Sequence, residues 1–230
     1  MTTAKDIQLR PITSTQAREV IKEHHYSGKP VNNSNLHIGV YLNGNLEGAM
    51  QLGPPLDKRK LLGLVEGTGW ANMMELNRMA FSDRLPRNSE SRALSVLTKV
   101  LRKHAPQVKW IVSFADGTIY RAAGYDLTAI KPSHNLARFP NGTVIHKMTL
   151  ESSPTQPRPE ANGKSYYDIT NGKYNWTQYV QHCNAEIIPG YQLRYIKFID
   201  PTWRNRLAVP TIPYSEIEKQ GAGMYLGQKR

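Results

Sequence analysis

A single cysteine, Cys183, in 230 residues excludes an intramolecular disulfide and any zinc site built on several cysteines. No apolar run approaches the roughly 18 residues of a membrane span, and no signal-peptide core is seen at the N-terminus, so no membrane is expected. Acids are scarce, with 18 Asp and Glu against 30 Lys and Arg, a net charge of +12. These shortages predict a soluble basic protein of a reducing compartment, with an anionic partner. Eight Lys or Arg and two acids fall within 78–109, so that stretch carries +6 and favours nucleic acid as the partner. One domain over 1–230 is expected, and a hydrophobic share of 39% is enough for its core.

The stretch 75–117 organises the rest of the chain. It predicts a strand over 74–81, a turn over 84–89 with Pro86, a helix from Ser89 and a buried strand over 110–115. The helix rests on Ala93, Val96, Leu97, Val100 and Leu101, which recur at helical spacing. Simple alternation in the first strand sets Leu76 and Arg78 on one face and Glu75, Asn77 and Met79 on the other. A strand-helix-strand order asks for a parallel pair, and such folds bind ligands at strand ends and helix starts. Glu75, Asn77, Arg78, Ser91 and Asp116 sit at or near those places.

Upstream, Thr13 and Gln16 read as a capping box for a helix over 13–26, with Ala17, Val20 and Ile21 on one face. A hairpin of 36–42 and 46–52 turns on Asn43-Gly44. Residues 54–70 read as a basic, Gly-rich loop with a short apolar piece at 61–65. Downstream come a short helix over 118–124, a second hairpin of 129–132 and 144–150 across Asn141-Gly142, and a final strand over 191–199. The Pro- and aromatic-rich stretch 151–186 is expected to be an insertion or lid, and 200–230 a basic tail. Tyr166, Tyr167, Tyr174, Trp176 and Tyr179 suit either base stacking or the core of that lid. Two hairpins about a central strand-helix-strand is the order of a GNAT-like acyltransferase fold, α/β (α+β) with a mixed central sheet flanked by helices.

Four motifs, His25-Tyr26-Ser27-Gly28, Glu75-Leu76-Asn77-Arg78-Met79, Arg87-Asn88-Ser89-Glu90-Ser91 and Val112-Ser113-Phe114-Ala115-Asp116-Gly117, resemble the bacteriophage Mom proteins. The likeness runs over about 12–150 and again over 194–199. It implies an enzyme that converts adenine in DNA to an N6-carbamoylmethyl form, blunting restriction in the cytoplasm of the bacterial host. The family's His-Tyr pair falls on His25 and Tyr26, its strand arginine on Arg78 and its helix-start serine on Ser91. Its strand-end aspartate falls on Asp116 and its downstream tyrosine on Tyr120, with Tyr125 as the other register. The partner implied is double-stranded DNA with a flipped adenine, because the 6-amino nitrogen is paired inside a duplex.

On the residues alone, Asp116 either activates the attacking amine or caps the next helix. Tyr120 either protonates a leaving group or belongs to the core. Arg78 suits an anchor for a phosphate or carbonyl oxygen, and equally an internal pair with Glu75 or Asp116. Asn88, Ser89 and Ser91 gather at a helix start, where free N–H groups attract anions, and are the expected cofactor contacts. That turn lacks the glycine through which a coenzyme A enzyme approaches the pyrophosphate. An activated glycine such as glycyl-tRNA is therefore favoured over acetyl-coenzyme A, which admits tRNA as a partner. No metal is expected, since His24 and His25 on a helix point about 100° apart, although His25, Glu75 and Asp116 could still converge. Two rival readings stay open: an acetyltransferase of the same fold acting on a protein or small amine, and a non-catalytic basic DNA-binding module.

Overall fold

Asn43 and Gly44 both take left-handed backbone, with φ of 51° and 84°, as a two-residue turn between twisted strands demands. They join strands β2 (Leu36–Leu42) and β3 (Asn45–Gly53), which pair antiparallel. Strand β1 (Gln8–Pro11) flanks β2. Between β1 and β2, helix α1 (Ser14–His24) starts on the expected capping box, with Thr13 and Gln16 satisfying each other's backbone N–H groups. The computed structural model describes residues 2–25, 28–115 and 119–222, with backbone alone for Met224–Tyr225 and Gln228–Lys229.

The loop over 54–70 contains a helix, α2 (Lys58–Leu62), too short for any periodic pattern to announce. Then come β4 (Met73–Phe81), α3 (Ser89–His104) and β5 (Trp110–Ala115). As the strand-helix-strand order requires, β4 and β5 are parallel, in register from Met73↔Trp110 to Leu76↔Ser113. The buried stripe of α3 is Ala93, Leu94, Leu97, Thr98 and Leu101, while Val96 and Val100 are half-buried. The stripe thus lies about one residue round from the expected one. Thr98 is admitted because its hydroxyl donates to the Leu94 carbonyl at 2.9 Å.

After α4 (Ile119–Ala122), strand β6 runs Asp126–Arg138, far beyond the four residues expected. Strand β7 is only Val144–His146, because Lys147–Glu151 turns into helix α5 on a His146 cap. Helices α6 (Tyr166–Thr170) and α7 (Trp176–His182) lead to β8 (Glu186–Phe198). The mixed sheet has the order β1-β2-β3-β4-β5-β8-β6-β7. Residues 201–206, expected to be tail, form a 3-10 helix.

The chain forms two compact units, Met1–Ala129 with Leu193–Glu216, and Ile130–Gln192 with Ile217–Arg230. In the first, Trp110, Val112, Ile196 and Phe198 pack on Leu64 and Val65. The second has its own core, in which Tyr166, Trp176 and Tyr179 pack with Phe139, Ile145 and Leu150. Each such ring contributes about 1.5–3 kcal/mol by burial, so these three aromatics serve packing, whereas Tyr174 is 61% exposed. No helix among the described residues is long and apolar enough to cross a membrane.

Candidate active site

The site begins with a bulge. Arg78 pairs with Gln51 and Leu76 with Leu52, so Asn77 is an extra residue in β4. An extra residue shifts the alternation, and the expected faces are corrected accordingly. Leu76 and Met79 share one face, while Arg78 joins Glu75 on the other, the side covered by α1 through Ala17, Val20 and Ala49. The end of α1 then brings His25 to the same neighbourhood. The segment over 29–35 lies across it: Arg78 Nε donates to Lys29 O at 3.2 Å, and Ser34 Oγ donates to Asn77 Oδ1 at 2.9 Å. Gly53 is needed beneath, since a Cβ there would stand 2.3 Å from Asn33 O. Arg78 also donates from Nη1 to the Asn77 carbonyl at 2.8 Å, and no ion pair joins it to Glu75 among the described residues.

Electrostatics follow from that grouping. Burial, and secondarily the Arg78 charge, lower the His25 pKa from 6.5 to about 4, so the ring is neutral near pH 7. Burial raises Glu75, opposed by a hydrogen bond from Asn77 and by Arg78. Between pH 6.5 and 4 the unfolded chain binds a proton at His25 that the folded chain refuses. His25 therefore contributes its full stability above pH 6.5 and loses it as pH falls to 4; Glu75, raised, acts in the opposite sense. After discounting for the partly exposed ring, the His25 contribution is about 1–2 kcal/mol. Urea midpoints from pH 7 to 4 should fall less steeply for His25→Gln than for the natural protein. Parallel curves would refute the low pKa.

The opposite face of the sheet carries the tyrosine. Ser113 stands opposite Tyr195 in the β5–β8 ladder. Helix α4 sets Tyr120 against both, its ring stacked on Tyr195 at 4.6 Å and its hydroxyl 2.8 Å from Ser113 Oγ. Lys197, from β8, holds the end of α4 by donating to Ala123 O (2.8 Å) and Gly124 O (3.0 Å). Tyr125 packs edge-on to Tyr120 at 5.0 Å, but its buried hydroxyl has no hydrogen-bond partner among the described residues, and burial raises its pKa well above 10. Ser113 is the last rung between β4 and β5. Beyond it, among the described residues, β4 pairs only with β3 and β5 only with β8, so the two strands open between the faces bearing Arg78 and Tyr120.

Past that opening, a cleft of about 350 Å³ lies between the end of β4, the start of α3 and α4. Arg87, Asn88 and Ser91 line it together with the acids Asp83 and Glu90 and with Ile119 and Ala122 of α4. Asn88 has φ 70° and its side chain makes no capping bond, while the Ser89 N–H is bonded to Pro86 O at 3.1 Å. The left-handed turn that glycine ordinarily supplies is present without glycine. Asn88 supplies the turn, but its Cβ remains where glycine would leave room for a close approach. Ser89 is fully buried and its hydroxyl fastens the turn to Pro86 O at 2.6 Å.

The structure thus gathers His25, Glu75 and Arg78 on one face, Ser113 and Tyr120 on the other, and Asn88 and Ser91 in the cleft. Tyr26 and Asp116 lie outside the described residues. Sequence reasoning assigned nothing to Ser113, whose one signal is a hydroxyl within the apolar run 110–115, nor to Lys197. It also passed over Gln51, fully buried opposite Arg78 with Oε1 unpartnered among the described residues. Among the described residues no three His, Cys, Asp or Glu side chains are grouped to hold a metal ion.

Residues 6–216 match the model of the Mom protein family. Methylcarbamoylase mom of Escherichia phage Mu is 33% identical over 211 residues, spanning 89% of this chain and 80% of that protein. Among solved structures, an apo agmatine N-acetyltransferase variant is similar with a TM-score of 0.45 and 12% identity, over 84% of this chain and 100% of that one. A Bacillus subtilis acetyltransferase in complex with CoA is similar with a TM-score of 0.42 and 11% identity, over 84% and 97%.

Proposed function

We propose, from the premise that this chain belongs to the Mom protein family, that it is a transferase converting adenine in DNA to its N6-carbamoylmethyl form and so protecting phage DNA from restriction. The observation that carries the reading is the 33% identity, over 211 residues, to a protein named methylcarbamoylase. The geometry supports a division of labour in this reading. A flipped adenine enters on the face of α1, where the Arg78 guanidinium and the neutral His25 ring supply hydrogen-bond donors. Tyr26 and Asp116 are assigned to the adenine in this reading, Asp116 taking the proton of the attacking amine. The donor occupies the cleft at the start of α3, against Asn88 and Ser91. Tyr120, held by Ser113 at the opening of the strands, protonates the departing oxygen.

The donor is an activated glycine, glycyl-tRNA, and no bound metal is required. The argument is one of connectivity, since the atoms beyond ring carbon 6, NH–CH₂–CO–NH₂, are those of a glycyl group with one further nitrogen. Attack of the 6-amino nitrogen on the glycyl ester forms a C–N bond and releases the RNA hydroxyl, leaving adenine bearing CO–CH₂–NH₂. The freed glycine amine then adds to ring carbon 6 through a five-membered ring, and the bond from carbon 6 to the original nitrogen breaks. What remains is NH–CH₂–CO–NH₂ on the ring, with no atom gained or lost. The enzyme positions two reactants and moves protons. With ¹⁵N at the adenine 6-amino position, purified protein and glycyl-tRNA should place the label in the terminal amide. Label retained on the ring-bound nitrogen would exclude the rearrangement, and no product from glycyl-tRNA would exclude the donor.

A further inference from the structure

The outer face of α3 is the least explained charged surface of the first unit. Of the eight basic residues in 78–109, four are committed internally: Arg78 to Lys29 and Asn77 carbonyls, Arg84 to Glu47, Arg102 to Ile199 O and Lys109 to Asp200. Arg87 lines the cleft. Arg92, Lys99 and Lys103 remain. At about 100° per residue these three fall within about 40° of one another, in a stripe about 16 Å long. Lys99 and Lys103 are exposed and take part in no ion pair among the described residues. The buried Nε of Arg92 has no acceptor among them. The one acid of the helix, Glu90, lies about 160° round from Arg92 and lines the cleft with Asp83, off the stripe itself.

We propose that this stripe docks the phosphate backbone of the donor's RNA stem and not the DNA substrate. It rests on the reading of an aminoacylated RNA donor given above. The stripe begins at Arg92, next to Ser91 in the cleft, so a polyanion whose acylated end sits in the cleft continues along α3. The adenine enters from the other face of the sheet, beside Arg78 and α1. Two nucleic acids reacting through one opening between β4 and β5 need separate approaches, and the two faces provide them. Two exposed lysines in line, outside any ion pair among the described residues and continued by the charge of Arg92, are the groups such a backbone takes.

The test uses uncharged glycine-accepting tRNA and a duplex DNA of similar length, so its outcome is independent of any glycyl transfer. In the double variant Lys99→Glu, Lys103→Glu, tRNA affinity at about 100 mM salt should fall about 10- to 100-fold, while DNA affinity stays within about twofold. Lys99→Ala, Lys103→Ala, which adds no repulsion, should lower the salt slope of tRNA binding by about two and leave that of DNA unchanged. Unchanged tRNA binding, no tRNA binding by the natural protein, or an equal loss for DNA would each overturn the assignment. Stripe-dependent tRNA binding without product from glycyl-tRNA would uphold the surface and sink the reading on which it rests.

Discussion

Tyr120→Phe is expected to lower adenine modification about 10²- to 10⁴-fold in a protein that still folds. The substitution keeps the ring stacked on Tyr195 and removes the hydroxyl held 2.8 Å from Ser113. Losing one buried hydrogen bond costs about 1 kcal/mol, too little to unfold a domain of this size. If Tyr120 merely filled the core, that small loss of stability would be the whole effect. Tyr125→Phe is the control that decides the register. Its hydroxyl has no partner among the described residues and is buried, so its removal should be neutral or slightly stabilising and leave modification intact. Nucleoside mass spectrometry of co-expressed plasmid reads both variants. Loss with Tyr125→Phe and activity with Tyr120→Phe would reverse the assignment. Ser113→Ala should fall between, lowering kcat with KM little changed, because it loosens Tyr120 without removing it.

Much of this frame was legible because local rules and the fold agree. Thr13 and Gln16, Asn43 and Gly44, and the apolar run 110–115 each state their structure in a few residues, and each appears as expected. The failures have physical causes. Alternation cannot foresee a bulge, so Arg78 was assigned to the face of Leu76 when pairing with Gln51 sets it beside Glu75. The left-handed turn at Asn88 was not foreseen, because asparagine visits that backbone only where its surroundings ask for it. Val144 to Leu150 reads as one strand until His146 caps a helix within it. Composition showed eight basic residues in one stretch but not that four of them are spent on internal partners. Ser113 was legible as an oddity in an apolar strand, yet only its distance from Tyr120 gives it a role.

Arg78→Met should lower modification about 10²- to 10³-fold, the range for loss of a donor placed on developing charge. Three consequences follow together. The carbonyls of Lys29 and Asn77 lose the guanidinium that joins the 29–35 segment to β4, at a cost of about 2 kcal/mol in stability. His25 loses a neighbouring positive charge and its pKa rises; Glu75 loses the charge that opposes its burial, and its pKa rises too. Arg78→Lys separates charge from shape. An ammonium keeps both pKa values near those of the natural protein but cannot reach Lys29 O and Asn77 O with one planar fork. If Arg78 acts as a shaped donor, the lysine variant loses nearly as much activity as the methionine variant while His25 still titrates near 4 by NMR. If only charge matters, lysine restores the rate. A methionine variant within about threefold of the natural rate, with His25 unmoved, would remove Arg78 from the site altogether.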